Sequence, residues 1–224
     1  MKKESKRAFK NAIYGQFSRM GKGLANAHRL ELLDVLAQGP RSVEVLAEET
    51  ALTVANASQH LQVLRRARLV RRQKEGTYVY YRLAGDDVVR LWQALRTAAE
   101  AQLADIDRIV RDYRTTPEAL EPIGVSELRE RAAKGQVVVL DVRPAEEYRH
   151  GHIAGARSIP VDELTSRLDE LPGDAEVVAY CRGPYCVFAD EAVETLRAHG
   201  IWARRLDVGF PDWQAAGLPT ETTG

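Results

Sequence analysis

The sequence predicts two domains: a mainly helical N-terminal one carrying a β-hairpin, then an α/β one around a central parallel sheet. The first half shows apolar residues three and four apart, as in amphipathic helices, interrupted once by two β-prone runs. The second half alternates short Val/Ile/Leu runs with helical segments, the pattern of α/β units. Charge changes sign between them. Residues 1–120 carry 21 basic and 14 acidic side chains and residues 121–224 carry 11 and 18, although the 224-residue chain is neutral overall. Pro117, in Thr115-Thr116-Pro117-Glu118, is expected to break a long preceding helix or start a new turn. The expected domains are therefore 1–114 and 121–224, with a linker at 115–120.

Composition narrows the function class. Apolar residues at 45% and charged residues at 29% are ordinary for a soluble globular protein and exclude a disordered or collagen-like chain. No apolar run reaches membrane-spanning length, so no membrane partner is expected. The basic start, Met1 to Arg7, is followed by no apolar stretch, so a secretory signal is not expected either. Two cysteines, Cys181 and Cys186, are too few for a disulfide framework and suggest a cytoplasmic protein with chemically used thiols. A basic first half suits a polyanionic partner such as double-stranded DNA.

The first helix is expected over about Ser5 to Leu24, with Phe9, Ile13, Phe17, Met20 and Leu24 forming one apolar stripe. Ala27 to Ala37 predicts a second helix, ending before Gly39-Pro40. Val43 to Glu49 predicts a third, capped by Ser42. A short turn leads to a fourth, Val54 to about Ala67, capped by Thr53. Val54, Ala57, Leu61 and Leu64 give this fourth helix a stripe to bury. Its other face presents Ala55, Asn56, Gln59, Gln62 and Arg66, with Ser58 and His60 on the flanks and Val63 outward. Small and amide side chains on a helix after a short turn suit base-edge reading in a major groove. Leu69 to Leu83 then reads as a hairpin, with β-prone runs on either side of Glu75-Gly76 and basic residues that suit phosphates. Candidate DNA contacts are Thr53, Asn56, Ser58, Gln59, His60 and Gln62, with Arg72, Lys74 and Thr77 on the hairpin. One long helix is expected from Asp86, as its N-cap, to about Arg114, with an apolar stripe that would be buried by pairing with a second copy together with the first helix, or else by packing within its own domain.

Three segments, Leu24-Ala25-Asn26-Ala27-His28-Arg29-Leu30, Ser58-Gln59-His60-Leu61-Gln62-Val63-Leu64 and Gly76-Thr77-Tyr78-Val79-Tyr80-Tyr81-Arg82-Leu83, resemble the winged helix-turn-helix repressors of the ArsR/SmtB family. The resemblance covers about residues 8–112. It implies a homodimer that releases operator DNA when an inducer binds. Metal-sensing members carry a Cys-Val-Cys motif where Ser42-Val43-Glu44 stands here, and others use His and carboxylates on the last helix, which lacks His in this chain. No metal site and no cofactor are therefore expected. The DNA-binding half looks like an output without its usual input.

In the second half, Val137-Val138-Val139-Leu140-Asp141-Val142-Arg143 and Val177-Val178-Ala179-Tyr180 read as central parallel strands. The latter ends at Cys181-Arg182-Gly183-Pro184-Tyr185-Cys186, followed by a helix from Val187 to His199. A cysteine at a strand's carboxyl end, before a helix, is a typical site position in α/β sheets. Loop amides, the helix N-terminus and Arg182 favour an anion and a thiolate there. Asp141 and Arg143 are expected to pair with each other or the loop, His152 to be structural, and Glu146 and Glu147 to form a solvated helix face. Tyr185 either gates the pocket or lies over it.

Asp141 to Ala156 closely resembles the first signature of rhodanese-like sulfurtransferase domains, and Gly209-Phe210-Pro211-Asp212-Trp213 their C-terminal Gly…Trp signature. The resemblance covers about 121–219 and implies that Cys181 takes sulfane sulfur as a persulfide cradled by the loop. Phosphatases and some arsenate reductases of this fold need Arg six residues after the cysteine, where Val187 stands, so their chemistry is disfavoured. Pro184 lacks an amide that the cradle would use. Cys186 either resolves the persulfide, leaving a disulfide or a trisulfide bridge, or is a small apolar residue starting the helix. The expectation is a dimeric repressor whose rhodanese-like domain supplies a sulfane-sulfur input from a small donor. An active sulfurtransferase fused to a repressor under another signal is the alternative, and a thiol-based As(III) or soft-metal sensor a more distant one.

Overall fold

The computed structural model describes residues 2–114, 122–172 and 175–223. The segment expected as a linker, 115–120, lies outside them. The chain packs as two compact units that divide between Trp92 and Gln93.

The first unit contains α1 (Lys2–Leu24), α2 (Ala27–Leu36), β1 (Arg41–Ser42), α3 (Val43–Glu49), α4 (Val54–Arg66), β2 (Val70–Glu75) and β3 (Tyr78–Leu83). Local chemistry sets the helix starts. The side chains of Asn26, Ser42 and Thr53 accept from the amides of Arg29, Val45 and Asn56 at 3.2, 3.4 and 3.2 Å, filling donors that a helix start leaves open. Leu32, Leu33, Leu46, Leu61, Leu64 and Leu69 form a fully buried core. Trp92 closes the unit, its indole donating to Asp34 at 2.9 Å.

Several expectations change here. The hairpin turn is Gly76-Thr77 rather than Glu75-Gly76, because Glu75 pairs with Tyr78. Gly76 adopts φ +61 at the first central position, where such two-residue turns favour glycine. A third strand, β1, pairs antiparallel with β3, giving the order β1-β3-β2. Two residues are too short to show a strand period. Val54 is 46% exposed instead of buried, because the first turn of α4 projects beyond the core that Ala57, Leu61 and Leu64 enter. The single helix expected after the hairpin is two, α5 (Asp86–Gln102) and α6 (Ala104–Tyr113), with Asp86 inside α5 rather than capping it. Leu103 breaks them with extended backbone, φ −114 and ψ 92.

The second unit takes in α5 from Gln93 onward, α6, α7 (Val125–Ala133), β4 (Val137–Asp141), α8 (Ala145–His150), β5 (His152–Ile153), β6 (Arg157–Ser158), β7 (Glu176–Tyr180), α9 (Val187–Ala198), β8 (Ala203–Arg205), α10 (Phe210–Ala215) and β9 (Thr220–Glu221). Four strands form a parallel sheet in the order β6-β4-β7-β8, and β5 pairs antiparallel with β9. Alternation along β7 sends Val177 and Ala179 into one core with Ala192, Val193 and Leu196 of α9. Val178 and Tyr180 enter another with Leu128 of α7 and Phe210 and Trp213 of α10. The apolar runs in β4 and β7 thus follow from burial on both faces. No helix among the described residues is long and apolar enough to cross a membrane.

Candidate functional site

In the second unit, β7 delivers Cys181 at its carboxyl end, and the chain then curls through Arg182-Gly183-Pro184-Tyr185 to Cys186, the N-cap of α9. The curl brings the two cysteine Cα atoms to 6.2 Å, and their sulfurs are joined in a disulfide. This separation lies within the range of roughly 4.4–6.8 Å that a disulfide spans. Cys181 is buried, whereas Cys186 is half-buried. Tyr185 and Val187 flank them at 44% and 43% exposure, which places Tyr185 at the surface.

The loop is fixed from below. Phe210 donates its amide to the Cys181 carbonyl at 3.1 Å, and Cys186 donates to the Gly183 carbonyl at 3.2 Å. Gly209 makes the first contact possible: a Cβ there would lie 2.1 Å from the Arg182 carbonyl oxygen. The glycine of the C-terminal signature is thus required by close backbone approach.

Arg182 points down into the fold. Its Nη2 and Nε reach Glu147 Oε1 at 2.6 and 3.0 Å, and Glu147 is completely buried. This corrects the expectation of a solvated Glu147. Arg182 therefore anchors the loop, with its charge balanced by a carboxylate.

Asp141 and Arg143 pair at 2.6 Å with no solvent exposure. Arg143 also donates to the Gly151 carbonyl at 2.8 Å and lies 4.5 Å from the Phe210 ring centre. Burial opposes the Arg143 charge, but the Asp141 hydrogen bond and field outweigh it and hold its pKa above the ordinary value. The Tyr180 hydroxyl donates to Asp141, and burial followed by the Asp141 charge pushes its pKa well above that of a free phenol. This network holds the strand end that precedes Cys181. His152 is buried, stacks 3.6 Å from Tyr148 and meets its carbonyl at 2.9 Å, a structural placement.

Sequence reading missed a further set of side chains at the loop. Tyr185 donates its hydroxyl to Glu100 at 2.8 Å, and burial followed by this bond pushes its pKa up to about 12. Arg114, expected only as the end of a helix, is 7% exposed and donates to the Pro184 carbonyl at 2.6 Å and to Asp190 at 3.0 Å. These partners lie 70 and 76 residues from Arg114, so no local pattern reports them.

In the first unit, Thr53, Asn56, Gln59 and Gln62 lie exposed on or at the start of α4, with Ser58 and His60 half-buried beside them. Arg72, Lys74 and Thr77 are exposed on the hairpin. The His60 ring centre lies 5.5 Å from that of His28. Partial burial, then Arg29 and His28, lower the His60 pKa and favour a neutral ring.

Residues 124–216 match the rhodanese-like domain family and residues 24–73 a helix-turn-helix domain family. The HTH-type transcriptional regulator Rv0324 of Mycobacterium tuberculosis is 47% identical over 212 residues, spanning 95% of this chain and 93% of that protein. The uncharacterized protein YqhL of Bacillus subtilis is 37% identical over 84 residues, covering 37% of this chain and 65% of that one. Among solved structures, the homodimeric winged helix-turn-helix DNA-binding domain of Mb0332 from Mycobacterium bovis shares 46% identity. That similarity covers 42% of this chain and 87% of that one, with a TM-score of 0.41.

Proposed function

Because the chain belongs to the helix-turn-helix transcriptional regulators that carry a rhodanese-like domain, we propose that it is an operator-binding repressor whose DNA affinity is set by sulfane sulfur at Cys181 and Cys186. The observation that carries this reading is the pairing of the two thiols across a six-residue loop at the carboxyl edge of a parallel sheet. A thiolate at Cys181 attacks the sulfane sulfur of a small donor and becomes a persulfide, the donor leaving one sulfur shorter. The Cys186 thiolate then attacks the inner sulfur, forming the disulfide and expelling hydrosulfide. Sulfane sulfur is the two-electron oxidant, so two thiols and one sulfur yield one disulfide and one sulfide. A dithiol reductant resets the pair.

Dimerisation is the second part of the reading. Phe9, Tyr14 and Phe17 on α1 are 65–67% exposed, and Leu103, Ile109 and Tyr113 are exposed on and beside α6. An apolar stripe of this kind marks an interface, and a second copy presents the same stripe. In the DNA-bound dimer, α4 presents Asn56, Gln59 and Gln62 to base edges, while Arg72 and Lys74 meet phosphates.

Two measurements test this. Intact-mass analysis after inorganic polysulfide should show a Cys181–Cys186 bridge, and operator affinity should fall in the same samples. Modification without loss of affinity would reject the sensor reading in favour of an enzyme fused to a separately controlled repressor. On the DNA side, Lys74→Ala should lower the salt slope of operator binding by about 1 per protomer, the signature of one lost phosphate contact. An unchanged slope would remove Lys74 from the interface.

A further inference from the structure

We propose that α5 and α6 form a clasp on the sulfur loop, with Arg114 as its buried lock, and that the clasp transmits the state of Cys181 and Cys186 to α5. The proposal rests on the sulfur-sensing reading above and names its route.

Two successive residues of the loop, Pro184 and Tyr185, bond side chains from this segment, and Gly183 before them faces a third. Arg96 lies 3.8 Å from the position a Gly183 Cβ would take. Arg114 donates to the Pro184 carbonyl, and Glu100 accepts from Tyr185. None of Arg96, Glu100 and Arg114 falls within residues 124–216, which match the rhodanese-like family. The loop between the cysteines is therefore completed by residues from outside that match.

The clasp is anchored on both sides of the loop. Arg114 binds the buried Asp190 of α9, the helix that Cys186 caps. Arg205 of β8 approaches the same carboxylate at 3.5 Å and also points a nitrogen at the Pro184 carbonyl, 3.5 Å away. Two guanidinium groups thus share one carboxylate beside the loop. On the other side, Gln93 donates to Asp212 at 3.0 Å and to the Pro211 carbonyl at 3.2 Å, and Arg96 pairs with Asp212. Pro211 and Asp212 directly follow Phe210, whose amide holds the Cys181 carbonyl.

These contacts belong to the bridged loop. Opening the disulfide frees the ends of the Gly183–Tyr185 arc. That change alters the Pro184 carbonyl and Tyr185 positions on which the clasp closes. Directional hydrogen bonds to buried charged groups are costly to leave unmade, so the segment must reposition with the loop. Two arrangements of one packed element are what coupling between sites requires. α5 runs unbroken from Asp86 to Gln102 and begins three residues after Leu83, the last residue of β3. A displacement imposed at Arg96 and Glu100 is therefore carried along a helix toward the hairpin.

The experiment compares the full-length wild-type chain with Glu100→Ala and Arg114→Lys. The first removes an acceptor at a partly exposed position, and the second keeps a cation for Asp190 while removing the fork that also reaches Pro184. Inorganic polysulfide bridges the loop and dithiothreitol opens it. Bridging is followed by intact mass, operator affinity by anisotropy, and α5–α6 order by hydrogen exchange. The wild type should lose affinity by a factor of about 5–150 on bridging, the usual span of such coupling. Its α5–α6 amides should change protection at the same time. Both variants should bridge to the same extent while that factor falls toward one. Equal losses of affinity in wild type and variants would overturn the clasp and leave the sensor reading standing. Unchanged α5–α6 exchange on bridging would overturn the clasp whatever the DNA result. An exchange change with constant wild-type affinity would instead retain the clasp and reject the sensor reading.

Discussion

Cys181→Ser is expected to abolish both the sulfur mark and the operator response, whereas Cys186→Ser should keep the mark and lose the response. The two positions differ in place. Cys181 ends a buried strand and is itself buried, while Cys186 caps α9 and is half-buried. A reducing thiol arriving from solvent therefore meets Cys186 first and expels Cys181 as thiolate. The reset step hands back Cys181 in the form that attacks the next sulfane sulfur. With Cys186 replaced, the persulfide on Cys181 has no internal thiol to displace its outer sulfur. It should accumulate as a gain of about 32 Da, which a reductant removes. With Cys181 replaced, polysulfide should leave operator affinity unchanged. If Cys186→Ser prevents the mark while Cys181→Ser retains it, the two roles are reversed, because an N-cap position also favours a thiolate. If both single variants still respond fully to polysulfide, the loop is not the input.

The parts of this site that were readable in the sequence are those fixed by local chemistry. Ser42 and Thr53 announce their helices because a hydroxyl one residue before a helix satisfies a free amide. The β4 and β7 strands show as unbroken apolar runs because both faces of the sheet are covered. The cysteine loop follows from its place after β7. What stayed hidden depends on partners far along the chain. Glu147 sits in Ala145-Glu146-Glu147-Tyr148-Arg149, which reads as a polar helix face. The arrival of Arg182 from 35 residues away, pairing with its carboxylate, helps to bury it fully. The break at Leu103 carries no Gly or Pro to announce it. Val54 has the right spacing for the buried stripe of α4, but spacing does not say how far the core extends past the first turn.

Asp141→Ala should have the largest effect on stability, because it removes the carboxylate that pairs with the fully buried Arg143 in the second unit. Asp141 and Arg143 are both fully excluded from solvent and joined by more than one hydrogen bond. Removing one member of such a pair costs about 3–5 kcal/mol, most of it the penalty of leaving the other charge uncompensated. At about 4–8 °C per kcal/mol for a domain near 100 residues, the second unit should melt more than about 10 °C lower. The Tyr180 hydroxyl loses its acceptor in the same step. Asp141→Asn retains an acceptor for Tyr180 but removes the charge that raises the Arg143 pKa, so it separates hydrogen bonding from charge balance. A double replacement of Asp141 and Arg143 by apolar residues of similar volume should recover much of the lost stability, since neither charge then remains buried. Tyr180 immediately precedes Cys181, so Asp141→Ala should also slow sulfur loading in the fraction that remains folded. A melting temperature within about 2 °C of wild type for Asp141→Ala would mean that Arg143 finds compensation elsewhere, and that the pair contributes little to holding the strand end beneath the sulfur loop.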